Sequence, residues 1–75
     1  MSQLPQIKPT ELLTFFIKQG FVISRQTGSH ARLAHIDGRK ITLAIHNRPI
    51  ALGTLGSVLR QAHMDKIEFI KLFKK

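Results

Sequence analysis

The residues in this sequence best suited to proton transfer near neutral pH are its histidines, because the ordinary pKa of imidazole lies there. There are four of them, His30, His35, His46 and His63. His30 follows a Gly-Ser step, and Arg32 comes two residues later. Metal-free cleavage of an RNA phosphodiester needs a base for the 2′-hydroxyl proton, cations for the crowded phosphate and a proton donor for the leaving oxygen. His30 and its neighbouring cations fit those needs, and an ordinary strand histidine fits the local sequence as well.

The remaining histidines are weaker candidates for chemistry. His46 ends a predicted strand, where it is either a solvated residue or the second member of an acid and base pair with His30. His35 flanks a turn, and His63 lies at the end of a helix, where the helix dipole stabilises a cation. Structural roles therefore suffice for His35 and His63.

Residues of other types give little support to different chemistry. The four acidic residues are Glu11, Asp37, Asp65 and Glu68, and capping or turn chemistry accounts for the last three. The chain has no cysteine, and neither a zinc-binding spacing nor a phosphate-binding glycine loop is present. We expect no metal and no cofactor.

The charge balance indicates a polyanionic partner. Twelve Lys and Arg residues face four Asp and Glu residues, which gives a formal net charge of +8. Nucleic acid is the commonest such partner, because Lys and Arg contacts to phosphates supply most of the non-specific affinity. An acidic protein surface fits the same charge, and so does a role in solubility alone.

Length and hydropathy bound the kind of protein. With 75 residues and 43% hydrophobic content, we expect one small globular domain over residues 1–75. No apolar run approaches the roughly 20 residues needed to span a bilayer, and the first residues lack the apolar core of a signal peptide. A cytoplasmic location without membrane contact is the expectation.

The elements that must position His30 begin with a helix and three strands. Residues 1–8 predict an irregular lead-in, and apolar residues at helical spacing predict a helix over 9–19 that ends at Gly20. β-Branched residues, and apolar residues that alternate with polar ones, predict strands over 21–25, 30–35 and 40–46.

The turn between the second and third strands decides which face of the sheet His30 occupies. A two-residue turn at Asp37-Gly38 buries Arg32, whereas a three-residue loop over 36–38, with Gly38 left-handed in a bulge, buries apolar side chains instead. The favoured, bulged register pairs Leu33 with Ile41, and Ala31 with Leu43. It places six residues together on the solvent face: His30, Arg32, Lys40, Thr42, Ala44 and His46.

Two further helices complete the predicted fold. One opens at Gly53-Thr54, buries an apolar stripe and ends at residue 63 or 64. The other is capped by Asp65, with Glu68 at the third position of a capping box, and runs to about residue 73. The order α-β-β-β-α-α predicts an α+β fold of the double-stranded-RNA-binding type, in which a three-stranded antiparallel sheet carries helices on one face and a short C-terminal helix follows.

Several segments of the chain resemble the HicA toxins: Gly20-Phe21-Val22, Gly28-Ser29-His30, Asp37-Gly38-Arg39 and the run "GTLGSVLRQA" over 53–62. The Gly-Ser-His triplet alone is a weak signal, but the triplet followed by that run is specific, and the resemblance covers nearly the whole chain. It implies a double-stranded-RNA-binding-like fold and a ribosome-independent mRNA interferase of a toxin-antitoxin pair. It also implies one essential histidine, which is His30 here, and a HicB-like antitoxin that covers the active-site face.

The residues and the resemblance together predict a metal-independent endoribonuclease that acts on mRNA, with His30 as the catalytic residue. The expected RNA-binding residues are Ser29, Arg32, Arg39, Lys40 and Arg60. The alternative is a non-catalytic RNA-binding module of the same fold, and a pure protein-interaction domain is a third possibility.

The sequence departs from the family pattern in three places. Ala31 stands where members often have a second histidine, and Gly56 stands where a basic residue is common. The segment over 50–52 is less polar than usual. These changes reduce polarity around the site or weaken a helix start, and none of them removes His30.

Overall fold

The computed structural model describes residues 6–73, which form three helices and one sheet. In chain order the elements are α1 (Pro9–Lys18), β1 (Val22–Thr27), β2 (His30–Ala34), β3 (Lys40–Ala44), α2 (Leu52–Gln61) and α3 (Lys66–Phe73). The sheet is antiparallel with the strand order β1-β2-β3. The predicted α+β fold of the double-stranded-RNA-binding type is confirmed.

The core lies between one side of the sheet and the helices. The sheet residues Leu33, Ile41 and Leu43 are buried in one cluster with apolar residues of all three helices. Phe69 anchors α3 through an edge-to-face contact with Phe15, with 5.0 Å between the ring centroids. Because the helices cover only this side, the other side of the sheet is open to solvent.

The first two helices end in the same hydrogen-bonding motif, in which a left-handed residue lets the chain bond back to the last turn. In α1 that residue is Gly20, with φ 99°, and the N–H of Phe21 donates to the carbonyl of Phe16 at 3.0 Å. In α2 it is His63, with φ 54°, and the N–H of Met64 makes the corresponding bond at 3.0 Å. Glycine adopts this conformation freely, so the predicted end of α1 at Gly20 is confirmed.

Acidic side chains accept hydrogen bonds at the starts of α1 and α3. The N–H of Glu68 donates to Oδ1 of Asp65 at 2.7 Å, which confirms Asp65 as the cap of α3. The N–H of Lys8 donates to Oε1 of Glu11 at 3.0 Å, so Glu11 also has a capping role. α2 begins at Leu52, one residue earlier than predicted.

Ile7, which precedes α1, packs against the rest of the fold. Ile7 is 1% exposed, and its carbonyl accepts a hydrogen bond from the N–H of Ile50 at 2.7 Å. The prediction of an irregular lead-in otherwise falls on residues 1–5, which lie outside the described residues. The contact ties Ile7, just before α1, to the loop between β3 and α2.

Candidate active site

The β2–β3 hairpin has the register that the bulged loop predicts. Leu33 pairs with Ile41, and Ala31 pairs with Leu43. Gly38 has φ 101°, and the N–H of His35 donates to the carbonyl of Arg39 at 2.9 Å across the three-residue loop. The prediction that His30 and Arg32 share the solvent side of the sheet is therefore confirmed.

Cross-strand partners share a side of a sheet, so the register gives three rows of residues on the solvent side. We call this surface the open face. Its rows are Thr27, His30 and Ala44; then Arg25, Arg32 and Thr42; then Val22, Ala34 and Lys40.

A tight turn fixes the backbone of His30. Thr27 pairs with His30, so only Gly28 and Ser29 lie between β1 and β2, and Gly28 has φ 58° at the first turn position, where hairpin turns favour glycine. The carbonyl of Ser29 accepts a hydrogen bond from the N–H of Ile45 at 2.6 Å. This short turn carries β1 on to Thr27, whereas the sequence predicted its end at Arg25.

A cleft of about 270 Å³ lies on the open face. It is lined by Arg25, Thr27, His30, Ala31, Arg32 and Thr42. Its lining includes no carboxylate, and the side-chain hydrogen bonds within residues 6–73 leave the His30 imidazole free. An exposed imidazole beside two guanidinium groups suits an anionic ligand that takes part in proton transfer.

Arg25 is a basic residue of the cleft that sequence reasoning missed. Ile23 pairs with Leu33, whereas Arg25 pairs with Arg32, so Ser24 is an extra residue in a β-bulge. Regular pairing places Arg25 opposite Ala31, on the core side, and the bulge turns it to the open face. The hydroxyl of Ser24 donates to the carbonyl of Arg32 at 3.1 Å, which ties the bulge to β2.

The structure separates two predicted RNA-binding residues from His30. Lys40 pairs with Ala34, whereas His30 pairs with Ala44. Lys40 and Ala44 are four residues apart on β3, a distance of about 13 Å along the strand. Lys40 instead lines a depression at the hairpin loop together with Gln61 and His63. Arg60 is an exposed residue of the last turn of α2 and is not part of the cleft lining.

Arg39 is engaged within the fold. Its Nε donates to Oδ2 of Asp37 at 2.8 Å, and its Nη1 donates to the carbonyl of Ala62 at 2.7 Å. The guanidinium also lies over the ring of Phe21, 5.0 Å from the centroid. These contacts hold the guanidinium against the fold, and Arg39 is not part of the cleft lining, so we expect it to act in the fold.

The hairpin loop beside Arg39 contains an Asp and His pair. The N–H of Arg39 donates to Asp37 at 3.0 Å and lowers the pKa of that carboxyl, and the Arg39 guanidinium acts in the same direction. The N–H of Asp37 donates to Nδ1 of His35 at 3.1 Å. His35 is half-buried and contacts Phe21 edge to face, which supports the structural role predicted for it.

A larger groove adjoins the cleft through the shared residue Thr42. It has a volume of about 790 Å³ and runs between β3 and the start of α2. His46 lines this groove and not the cleft. β3 ends at Ala44, so His46 lies beyond the strand that was predicted to carry it. The two histidines considered as an acid and base pair therefore line different depressions.

Two kinds of feature are absent from the described residues, a membrane-spanning helix and a cluster of metal ligands. Among residues 6–73, no helix is long and apolar enough to cross a membrane. In the same part of the chain, no three histidine and acidic side chains converge as a set of metal ligands.

Fold and site together define a small α+β domain of the double-stranded-RNA-binding type with a basic, histidine-bearing open face. Over residues 9–64 the chain matches the family described as "HicA toxin of bacterial toxin-antitoxin", and it belongs to that family. No curated protein matches the chain. Family membership makes it the toxin of a toxin-antitoxin system and implies a HicB-type antitoxin as its partner.

Proposed function

We propose that this protein is an endoribonuclease that cleaves mRNA without a metal ion and independently of the ribosome, with His30 as its catalytic residue. The observation that carries the proposal is the exposed His30 imidazole in a cleft with basic lining and no carboxylate. Membership of the HicA family supports the same activity.

The reaction is an internal transesterification. The 2′-oxygen of a nucleotide bonds to the adjacent phosphorus, and the bond from phosphorus to the 5′-oxygen breaks. A base takes the 2′-hydroxyl proton, an acid supplies a proton to the 5′-oxygen, and the products end in a 2′,3′-cyclic phosphate and a 5′-hydroxyl. His30 performs one of these transfers, and water, His46 or a lysine performs the other.

The cations of the open face have separate tasks in this proposal. Arg32 lies one same-side position from His30, about 7 Å along β2, and neutralises the charge that gathers on the reacting phosphate. Lys40 is too far from His30 to reach that phosphate and binds a later one. Ser29 is exposed in the turn beside His30, where its hydroxyl is a hydrogen-bond donor for the RNA.

The proposal has the HicB-like antitoxin cover the open face and so exclude RNA from His30. Support comes from charge, because the basic residues of the open face, Arg25, Arg32 and Lys40, attract an acidic partner as they attract RNA. The expected site of action is the cytoplasm, where the mRNA substrate is found.

Cleavage of a defined single-stranded RNA by the purified protein in excess EDTA tests the proposal. We expect a fragment that ends in a 2′,3′-cyclic phosphate, and no cut where the nucleotide before the cleaved bond is replaced by its 2′-deoxy analogue. Activity that disappears in EDTA contradicts the metal-free reaction. RNA that is bound in a salt-sensitive way and stays intact identifies a binding module instead.

A further inference from the structure

We infer that Arg25 binds the phosphate beside His30, together with Arg32, so that the two arginines grip one anion from adjacent strands. The inference rests on the proposed function for the identity of its ligand, an RNA phosphate. Arg25 acts in it as a positioning residue for the substrate.

The first support is the bulge at Ser24. A β-bulge leaves one residue out of the regular ladder and re-aims the side chains that follow it. Here it brings Arg25 opposite Arg32, and both residues line the cleft that contains His30. The Cα atoms of such partners lie about 5 Å apart, which lets the two guanidinium groups converge on one ligand.

The second support is electrostatic. Like charges directly opposite each other on antiparallel strands destabilise a sheet, so a fold gains nothing from Arg25 facing Arg32. Among residues 6–73, the one ion pair of a Lys or Arg side chain joins Arg39 to Asp37, and the cleft offers neither Arg25 nor Arg32 a carboxylate. An anion that binds between the two guanidinium groups removes this repulsion.

The third support is the chemistry of the side chain. The planar guanidinium of arginine donates two parallel hydrogen bonds to a phosphate. Two such groups hold an anion in a defined orientation, whereas a single lysine acts as a point charge. With His30 about 7 Å from Arg32 along β2, a phosphate held by both arginines lies beside the imidazole.

Binding of a short single-stranded RNA across a range of salt concentrations tests the inference, with His30→Ala as the parent so that the RNA is not cut. Arg25→Gln and Arg25→Lys are compared with Lys18→Gln, a control that removes the same charge from the exposed end of α1. The free energy of unfolding of each variant is measured in urea.

We expect Arg25→Gln to bind RNA more weakly and to lower the slope of log affinity against log salt by about 0.7, the value for one phosphate contact with a single strand. Its stability equals or exceeds that of the parent, because a repulsive pair is lost. Arg25→Lys keeps the slope but binds less tightly than the parent. Lys18→Gln leaves the slope unchanged.

A slope and an affinity for Arg25→Gln that equal those of Lys18→Gln overturn the inference. A loss of affinity that follows a loss of stability overturns it too, because Arg25 is then a residue of the fold. Cleavage by the unaltered protein is a separate measurement. If the unaltered protein cleaves RNA but the salt slope of binding does not depend on Arg25, this inference alone is contradicted. If the RNA stays intact but the salt slope depends on Arg25, the proposed function alone is contradicted.

Discussion

The guanidinium of Arg39 donates to the carbonyl of Ala62 across 23 positions of the chain, at 2.7 Å. Ala62 caps the C-terminus of α2, where carbonyl groups have no partner within the helix. The same guanidinium binds Asp37 in the β2–β3 loop. Arg39 thus joins the loop that sets the register of the sheet to the end of the helix packed against it.

Arg39→Lys is expected to destabilise the fold by about 1–3 kcal/mol, because an ammonium group cannot replace both arms of the guanidinium fork. Urea unfolding measures the loss. RNA cleavage per folded molecule stays at the level of the parent, since Arg39 lies outside the cleft. A variant of full stability that no longer cuts RNA contradicts this assignment.

Asp37 makes the stability of the hairpin depend on pH. Its pKa is lowered in the folded protein from an ordinary value of 3.8, chiefly by the hydrogen bond from the N–H of Arg39. The stability that this carboxylate contributes is present above pH 3.8 and is lost as the pH falls through the lowered pKa. We expect Asp37→Asn to be less stable near neutral pH and to lose less stability on acidification. Urea unfolding over a pH series checks this, and parallel curves for parent and variant argue against it.

His63→Gly is expected to stabilise the protein by about 1 kcal/mol, because glycine removes the penalty of a left-handed backbone. The His63 side chain is exposed, so little packing is lost. Thermal unfolding measures the gain. Gly20→Ala is the opposite control and is expected to lower the stability. Gly20 has a φ of 99°, and a Cβ added there lies 2.9 Å from Nε2 of His35. A lower melting temperature for His63→Gly shows instead that the imidazole supports the fold.

Gly56→Ala is expected to stabilise α2 by up to about 1 kcal/mol, because alanine is the better helix former. Apart from the adjacent residues and the backbone of α2 itself, the nearest atom to the added Cβ is Nη1 of Arg60 at 3.8 Å, an ordinary contact. Urea unfolding gives the difference in free energy. A destabilised variant indicates that this turn of α2 needs the flexibility of glycine.

The sequence predicts the open face because burial decides the parity of a strand. Leu33 and Ile41 have to face the core, and that requirement selects the bulged loop at Gly38 and places His30 outside. Gly20 and Asp65 are likewise readable, since the signals that end α1 and begin α3 are local.

The features that the sequence does not predict depend on partners that are distant in the chain. The bulge at Ser24 arises from the pairing of β1 with β2. The residues next to Arg25 in sequence therefore do not show which side of the sheet it faces. The contact of Arg39 with Ala62 depends on how α2 packs. Lys40 and His30 share a side of the sheet, as predicted, but their separation follows from the register and not from their proximity in sequence.

The central claim is that the His30 imidazole transfers a proton during RNA cleavage. The direct test is the single-turnover cleavage rate of His30→Ala at saturating protein, beside His46→Ala and with the unfolding free energy of each variant measured. We predict that His30→Ala lowers the rate by about 10²–10⁴-fold, the contribution typical of acid and base catalysis, at unchanged stability and with RNA still bound. A rate for His30→Ala equal to that of the unaltered protein, at equal stability, contradicts the claim.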